Sequence, residues 1–136
     1  MLDPETLHHV SIPVADLERA RAFYGGVLGF VEAERPPFDF PGAWYQVGDR
    51  LIHLIVGEHS TFRTDDRIDS RDAHFAIRVS NLKAAIDHLR SHGYREDAPD
   101  PLRRLRENLS GTAGFPQVYV LDPDRNVIEI NAARLD

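Results

Sequence analysis

Apolar and polar residues alternate along residues 7–14, near the start of the chain. Val10, Ile12 and Val14 have one parity, whereas His9 and Ser11 have the other. Because successive side chains of a strand point to opposite faces, this alternation predicts a β-strand with one apolar face. The other face of the strand is polar and carries His9.

One helix and three further strands are predicted in the rest of the first half. Asp16 is placed to cap a helix whose apolar residues recur at helical spacing, and Gly25–Gly26 predicts where that helix breaks down. A short strand is predicted over 31–34, and two strands over 43–47 and 51–56 are predicted to form a hairpin. The predicted order is therefore βαβββ.

The second half repeats this order after a polar loop. A strand is predicted over 74–79, and Asn81 caps a second amphipathic helix that ends at Gly93. The remaining predicted elements are a short strand over 94–97, a helical turn over 101–109 within the polar stretch 99–114, and a hairpin of strands over 117–121 and 126–131.

The two halves are also related residue by residue. At an offset of 65 residues (74 − 9 = 65), His9 aligns with His74 and Asp16 aligns with Asn81; with insertions allowed, His53 aligns with Glu129. A unit of about 60 residues does not easily bury both a sheet and a helix alone. We therefore predict an α+β fold of two paired βαβββ modules, their half-sheets facing each other about a pseudo-twofold axis. The single domain over 1–136 comprises a first module over about 5–57, a loop over 58–72 and a second module over about 73–132.

Four aligned residues are candidate metal ligands, namely His9, His53, His74 and Glu129. Each lies within a predicted strand, on the parity opposite the most apolar one. Burying an unpaired Glu129 carboxylate there costs several kcal/mol, so a partner is expected. Two histidines and a carboxylate with open positions suit Fe(II) and other octahedral divalent ions, and His53 makes a fourth ligand.

Composition limits the classes of protein that remain. Lys plus Arg is 16 and Asp plus Glu is 22, a net charge of −6 that argues against sequence-independent nucleic-acid binding. The chain has seven His and no Cys, which excludes disulfides, thiolate catalysis and cysteine zinc sites. No apolar run is long enough for a membrane span, and the first residues lack the pattern of a signal peptide. The sequence therefore predicts a cytoplasmic protein.

Two motifs resemble those of a known superfamily. The opening Leu7-His8-His9-Val10-Ser11-Ile12-Pro13-Val14-Ala15-Asp16-Leu17, continuing to Val27-Leu28-Gly29-Phe30, resembles the start of vicinal-oxygen-chelate proteins. The closing Leu121-Asp122-Pro123-Asp124-Arg125-Asn126-Val127-Ile128-Glu129-Ile130 resembles their last hairpin. That group includes glyoxalase I, methylmalonyl-CoA epimerase, fosfomycin-resistance proteins, extradiol dioxygenases and bleomycin-binding proteins. This chain has Arg125 where the closing turn usually has Gly, and His53 where glyoxalases and epimerases commonly have Glu or Gln.

The resemblance implies a U-shaped cleft with one divalent metal ion, of the set Fe, Mn, Ni, Co or Zn. The family's ligand positions fall on His9, His53, His74 and Glu129, or on three of these without His53, as in fosfomycin-type and extradiol members. It also implies that a small substrate chelates the metal through adjacent oxygens, in a glyoxalase-like lyase or isomerase reaction. Glu129 is then the candidate catalytic base.

Four further residues have the parity to line the same cleft and orient a substrate: Ser11, Gln46, Arg78 and Tyr119. Three arginines before the seventh strand, Arg103, Arg104 and Arg106, are either a site for an anionic substrate or a solvated basic turn. The remaining histidines (His8, His59, His88 and His92) lack the repeat registration and are interpreted as structural or solvated.

Three alternative functions remain open from the sequence. An extradiol-type dioxygenase would consume oxygen, a fosfomycin-type thiol transferase would need an added thiol, and a metal-free drug-binding protein would have no use for His9, His74 and Glu129 together. A homodimer is expected because the edge strands of half-sheets invite pairing. Two arrangements are open from the sequence: the modules pair within one chain, or they exchange between two chains.

Overall fold

The computed structural model describes residues 1–58 and 61–136. The chain divides into two compact units, Met1–Ser60 and Thr61–Asp136, called here the first and the second module. Among the described residues, no helix is both long and apolar enough to cross a membrane. His59, interpreted above as solvated, lies outside the described residues.

The first module is one four-stranded mixed sheet with a short helical segment. Its elements are β1 (His9–Val14), α1 (Leu17–Arg21), a π-helical turn (Ala22–Val27), β2 (Val31–Ala33), β3 (Gly42–Val47) and β4 (Arg50–Val56). The strand order is β1-β4-β3-β2, in which β1 runs parallel to β4 and the other pairs are antiparallel. The parallel pair brings the first strand of the module beside the last.

The second module repeats this topology. Its elements are β5 (His74–Arg78), α2 (Leu82–Ser91), a 3₁₀ turn (Pro101–Arg103), β6 (Leu105–Asn108), β7 (Gln117–Leu121) and β8 (Val127–Asn131). The order is β5-β8-β7-β6, again with the first and last strands parallel. The predicted α+β fold of two βαβββ modules is confirmed.

The apolar parity of the central strands forms the core of each module. In the first it comprises Ile12, Val14, Ala43, Tyr45, Ile52 and Leu54, and in the second Leu105, Val118, Val120, Ile128 and Ile130. The N-cap oxygens of Asp16 and Asn81 accept the predicted hydrogen bonds, at 3.0 and 2.9 Å. Burial of one face therefore fixes which side chains the opposite face presents.

The repeat extends to the pairing register. His53 lies opposite Ser11 of β1 and opposite Trp44 of β3. Glu129 occupies the same position in the second module, opposite Ala76 and Tyr119. The two positions aligned in the sequence are therefore equivalent in backbone structure.

The prediction that the first helix breaks down at Gly25–Gly26 is wrong. The helix continues as a widened turn to Val27, and the amide of Leu28 donates to the carbonyl of Phe23 at 2.9 Å. Gly25 lies against the ring of Tyr45, where an added Cβ would be only 3.4 Å from the ring. Close packing on the core holds this segment in a helical form that its glycines alone disfavour.

Two predictions in the second module are also wrong. Residues 94–97 form no strand, and residue 95 only makes an isolated bridge to Arg104. The helical turn predicted over 101–109 ends at Arg103, and the edge strand of the sheet is Leu105–Asn108. The backbone amide of Tyr94 donates to the carbonyl of Leu89 in the last turn of α2, and pairing with the segment before β6 is confined to residue 95.

The described part of the connecting loop is attached to the second sheet. Arg63 pairs with Asp72 at 2.9 Å and donates to the carbonyl of Arg125 at 2.8 Å. Ile68 packs on the cluster of Tyr119, Leu121 and Val127, and its carbonyl accepts from Arg106. Residues 61–72 are thus part of the second module.

Candidate metal centre

Two of the four candidate ligands meet in the second module. The Nε2 atom of His74 lies 3.1 Å from Oε2 of Glu129, across the parallel β5–β8 pair. The other carboxylate oxygen, Oε1, accepts hydrogen bonds from Gln117 at 2.9 Å and from Asn131 at 2.8 Å. Glu129 is only 5% exposed. The expectation that this buried carboxylate has partners is confirmed.

The backbone carbonyl of Asp72 determines the state of His74. It lies 2.7 Å from Nδ1 of the ring. A carbonyl can only accept, so Nδ1 carries a hydrogen, and Nε2 either donates a second hydrogen to Oε2 of Glu129 or shares a cation with it. Two acceptors at this distance require a positive charge, either a proton or a metal ion. Ligands bound at right angles at about 2.1 Å are about 3 Å apart, so the pair fits adjacent positions around a divalent ion.

These contacts also shift the pKa values of Glu129 and of the neighbouring Tyr119. Burial raises the pKa of Glu129, but hydrogen bonds from Asn131, Gln117 and His74 outweigh it, and the pKa lies below its ordinary value. Burial and the neighbouring Glu129 carboxylate raise the pKa of the Tyr119 phenol. The site therefore holds a carboxylate beside a neutral phenol.

The two candidate ligands of the first module are stacked. The rings of His9 and His53 lie 4.0 Å apart between centroids at 15°, and Trp44 stacks on His53 at 4.1 Å and 3°. Nε2 of His53 is buried and has no hydrogen-bond partner within the described residues. Burial, then the neighbouring His9, His8 and Arg35, lowers the pKa of His53.

This stack affects how the two histidines could share an ion. An imidazole nitrogen binds a metal in the plane of its ring. Because the planes of His9 and His53 are nearly parallel, their lone pairs do not converge within the first module, and one ring must turn for both to bind one ion. Within the described residues of either module, no three His, Asp or Glu side chains are gathered to hold a metal ion.

The four candidate substrate contacts differ in their present partners. Ser11 is exposed beside His53. Gln46 donates to the carbonyls of Gly48 and Arg50 in the β3–β4 hairpin, at 2.7 and 3.3 Å. Arg78 donates to Oδ1 of Asn131 at 2.5 Å and lies over the ring of Phe115. Tyr119 is buried with its ring 5.8 Å from that of His74.

Other basic residues singled out in the sequence have local partners. Arg103 and Arg104 donate to the carbonyls of His92 and Ala98. His8 contacts His9, with 2.9 Å between their Nδ1 atoms. His88 and His92 lie one helical turn apart on α2, and both are exposed. None of these side chains touches the pair of His74 and Glu129.

Sequence reasoning missed the residues that support the pair. Gln117 and Asn131 share the face of Glu129, and their parity with Tyr119 and Glu129 was a visible signal. Asn108 extends the network by donating to Oε1 of Gln117 at 3.2 Å. The Asp72 carbonyl had no sequence signal, because any residue supplies a carbonyl at that place.

The comparisons with known proteins agree with this fold. A model of the Glyoxalase/Bleomycin resistance protein/Dioxygenase superfamily matches residues 6–130, and the chain belongs to this superfamily. It is 29% identical over 127 residues to Glyoxylase I 4 of Arabidopsis thaliana, covering 92% of this chain and 69% of that protein. It is 28% identical over 127 residues to human mitochondrial methylmalonyl-CoA epimerase, covering 87% and 67%.

Two solved structures illustrate the shared fold. A protein of Bacillus anthracis assigned to the glyoxalase family has a TM-score of 0.76 at 24% identity, covering 97% of this chain and 98% of that chain. A mutant fosfomycin resistance protein of Listeria monocytogenes, complexed with Mn(II) and 1S,2S-dihydroxypropylphosphonic acid, has a TM-score of 0.70 at 15% identity, covering 98% and 95%. At these identities the likeness shows the fold, and the family resemblance inferred from the two motifs is confirmed by the superfamily match.

Proposed function

We propose that this protein is a divalent-metal-dependent enzyme that binds a small metabolite through two adjacent oxygens, as a glyoxalase-like lyase or isomerase. The proposed ligands are His74 and Glu129 of the second module and His9 and His53 of the first. The donors are nitrogen and oxygen only, which suits Fe, Mn, Ni, Co or Zn. Both relatives carry the names of enzymes, Glyoxylase I 4 and methylmalonyl-CoA epimerase.

The observation that carries this proposal is the pair of His74 and Glu129. Nε2 of His74 and Oε2 of Glu129 face each other at 3.1 Å, and the other polar atoms of both groups are already hydrogen-bonded. Ligating histidines typically donate their second N–H to a carbonyl, as His74 does to Asp72. The second module therefore holds half of a metal site in a fixed orientation.

A divalent ion held by these four residues would polarise two adjacent substrate oxygens as a Lewis acid, which is worth several kcal/mol of charge stabilisation. Glu129 accepts the proton that the substrate carbon loses and returns it, through Oε2 because Gln117 and Asn131 occupy Oε1. Since Oε2 is also the proposed metal-binding oxygen, the substrate must first loosen or displace it. Tyr119 stays protonated beside it and can donate to a substrate oxygen. Ser11, Arg78 and Gln46 are proposed to orient the substrate, although Gln46 must first leave its hairpin partners.

The test measures metal content and affinity before activity. Purified protein is stripped with EDTA, reconstituted with each of the five metals and assayed by elemental analysis and calorimetry. We expect one ion per chain, abolished in His74→Ala and in Glu129→Gln. Gln117→Leu should weaken metal affinity about 10–100-fold, because it releases Oε1 of Glu129. The hemithioacetal of methylglyoxal and glutathione is the first probe substrate.

His92→Ala is the matched control, since it removes an exposed histidine of the same module that does not touch the pair. No ion in the reconstituted protein, or equal metal in His74→Ala, contradicts the proposal. Full turnover by metal-loaded Glu129→Gln removes the proton-transfer role of that residue alone. Oxygen uptake with a catechol, or turnover that depends on added thiol, would assign the site to the dioxygenase or thiol-transferase reaction instead.

We further propose that the protein is a cytoplasmic homodimer, as the exposed strand edges of the two sheets favour pairing. Sedimentation velocity at micromolar concentration should show a mass of twice 15.4 kDa. A monomer at these concentrations contradicts the dimer and leaves the metal site as proposed.

A further inference from the structure

One arginine of the connecting loop links the approaches to the two strands that carry His74 and Glu129. Nη1 of Arg63 donates to the backbone carbonyl of Arg125 at 2.8 Å, and Nη2 lies 2.9 Å from Oδ2 of Asp72. Asp72 precedes β5 by two residues, and Arg125 precedes β8 by two residues. A single guanidinium therefore joins the approach to β5 to the turn before β8. These three residues are called here the arginine clamp.

The two strands begin side by side at this place. β5 and β8 run parallel, and their first residues, His74 and Val127, are partners in the register. His74 therefore lies at the end of the strand pair, where hydrogen-bonded ladders open most easily. The arginine clamp joins the chain at the same end of the sheet that carries this candidate ligand.

Asp72 connects Arg63 to the ring of His74. One carboxylate oxygen of Asp72, Oδ2, pairs with Arg63, and the other, Oδ1, accepts from the amide of Ala73 at 2.8 Å. The backbone carbonyl of Asp72 accepts from Nδ1 of His74 at 2.7 Å. Because the carboxylate and the carbonyl belong to one residue, holding the carboxylate restricts the rotation of the peptide that orients His74.

The burial and the shape of Arg63 suit this role. Its side chain is 18% exposed, whereas that of Arg67, which pairs with Asp65 in the same loop, is 84% exposed. Solvent and salt weaken a partly buried ion pair less than a surface pair. A guanidinium also presents its N–H groups in a fixed plane, so it can hold two acceptors at a set separation.

We propose that Arg63 is a positioning residue for the candidate metal centre. By joining Asp72 to the turn before β8, it keeps Nε2 of His74 opposite Oε2 of Glu129. The inference rests on the proposed function for the ion itself and adds a residue that acts on the ion through Asp72. Loss of Arg63 should therefore weaken metal binding even in protein that stays folded.

The first test compares the Mn(II) affinity of the whole chain and its variants by calorimetry. Arg63→Met keeps an apolar stem and removes both donors, and we expect it to bind Mn(II) about tenfold more weakly. Arg67→Met is the matched control, because it removes an arginine ion pair from the same loop, and it should leave the affinity unchanged. Thermal melting confirms that each variant is folded at the temperature of the titration. Equal affinities in the two methionine variants overturn the proposal.

Arg63→Lys tests whether charge alone is sufficient. A lysine ammonium is a compact charge on a flexible stem and does not reproduce the planar arrangement of two donors. We expect this variant to bind Mn(II) about threefold more weakly than the unsubstituted protein. Full affinity in Arg63→Lys overturns the assignment of a clamp that needs both donors.

The route through Asp72 is tested by combining two changes. Asp72→Asn removes the charge that pairs with Arg63 and keeps the backbone carbonyl that accepts from His74. The double variant Arg63→Met with Asp72→Asn should bind Mn(II) no more weakly than Arg63→Met alone, because both changes break the same connection. Losses of affinity that multiply in the double variant show that the two residues act separately, which overturns the proposal.

A measurement on metal-free protein separates this inference from the proposed function. In EDTA-treated protein labelled with ¹⁵N-histidine, the Nδ1–H group of His74 should give a protected NMR signal, assigned by its absence from His74→Ala. We expect the signal to be lost in Arg63→Met and kept in Arg67→Met. The same pattern in protein that takes up no Mn(II) supports the positioning role and contradicts the proposed function. A signal kept in Arg63→Met, with Mn(II) affinity unchanged, overturns the positioning role and leaves the metal centre as proposed.

Discussion

The two modules share a strand register but surround the same position in different ways. Glu129 of the second module is flanked by Gln117 and Asn131, which are paired with each other in the sheet and both donate to its Oε1 atom. The equivalent pair around His53 is Gly42 and Ile55, and neither has a side chain that can hydrogen-bond. The second module thus holds its candidate ligand Glu129 through hydrogen bonds, and the first holds its candidate ligand His53 through ring stacking.

Gly42 shows why the first module lacks such support. A Cβ at this position would lie 2.3 Å from the backbone carbonyl oxygen of Leu54, closer than two such atoms approach. No side chain, and so no amide donor, fits there without moving β4. The repeated backbone places His53 and Glu129 at equivalent positions. The freedom of each side chain to turn depends on neighbouring side chains, which differ between the two modules.

The largest expected effect is on Glu129 in metal-free protein. Glu129→Leu leaves the donors of Gln117 and Asn131 buried without an acceptor, so it should lower the free energy of unfolding by about 2–4 kcal/mol. Urea unfolding after EDTA treatment measures this. Glu129→Gln, which retains one acceptor oxygen, should lose about half as much. A loss below 1 kcal/mol in the leucine variant would show that the network is not formed in solution.

The equivalent change in the first module should have the opposite sign. His53→Phe keeps a ring between His9 and Trp44 and removes the unpartnered Nε2 atom. It should therefore raise the free energy of unfolding of metal-free protein by about 1 kcal/mol. His53→Ala serves as control, since it also removes the stack and should destabilise the protein. A destabilised phenylalanine variant would mean that Nε2 of His53 has a hydrogen-bond partner in solution. The two modules would then not differ in whether this position is hydrogen-bonded.

The smallest expected effect concerns the hairpin turns that lead into β4 and β8, the strands of His53 and Glu129. The first turn has a glycine in the left-handed region, Gly48 with φ +57, whereas the second has Arg125 with φ +69. Arg125→Gly should raise the free energy of unfolding by about 0.5–1 kcal/mol by relieving backbone strain.

Arg125→Ala is the matched control for that turn, because it removes the same side chain but keeps the Cβ atom at positive φ. Differential scanning calorimetry of both variants separates the backbone effect from the loss of the side chain. Equal melting temperatures for the two would show that the left-handed backbone at residue 125 carries no measurable strain.

Sequence patterns predicted most of the strands correctly because one-sided burial leaves a period-two signal. They failed at Leu105–Asn108, an edge strand in which only Leu105 is fully buried, and they assigned a strand instead to 94–97. They also failed at Gly25–Gly26, where packing on Tyr45 maintains a helical turn that propensity disfavours. Weakly buried edge strands and tightly packed glycines leave little local sequence pattern from which to predict secondary structure.

Part of the candidate site was predictable from the sequence, and part of it was not. Repeat alignment selected His74 and Glu129, and the structure brings them to 3.1 Å. It did not select Gln117 or Asn131, which become partners of Glu129 only through the β7–β8 register. The four-ligand set and the substrate contacts remain predictions that the metal and variant measurements address.

By itself, the sequence determined the two βαβββ modules, the face that each candidate ligand occupies and the absence of thiolate ligands, since these depend on local periodicity and residue type. Only the tertiary structure decided which nitrogen of His74 faces Glu129, which oxygen of Glu129 lacks amide partners, and that His53 is stacked on Trp44. Each of those depends on contacts between residues far apart in the chain. Strand pairing sets these contacts, and a one-dimensional pattern does not encode their distances.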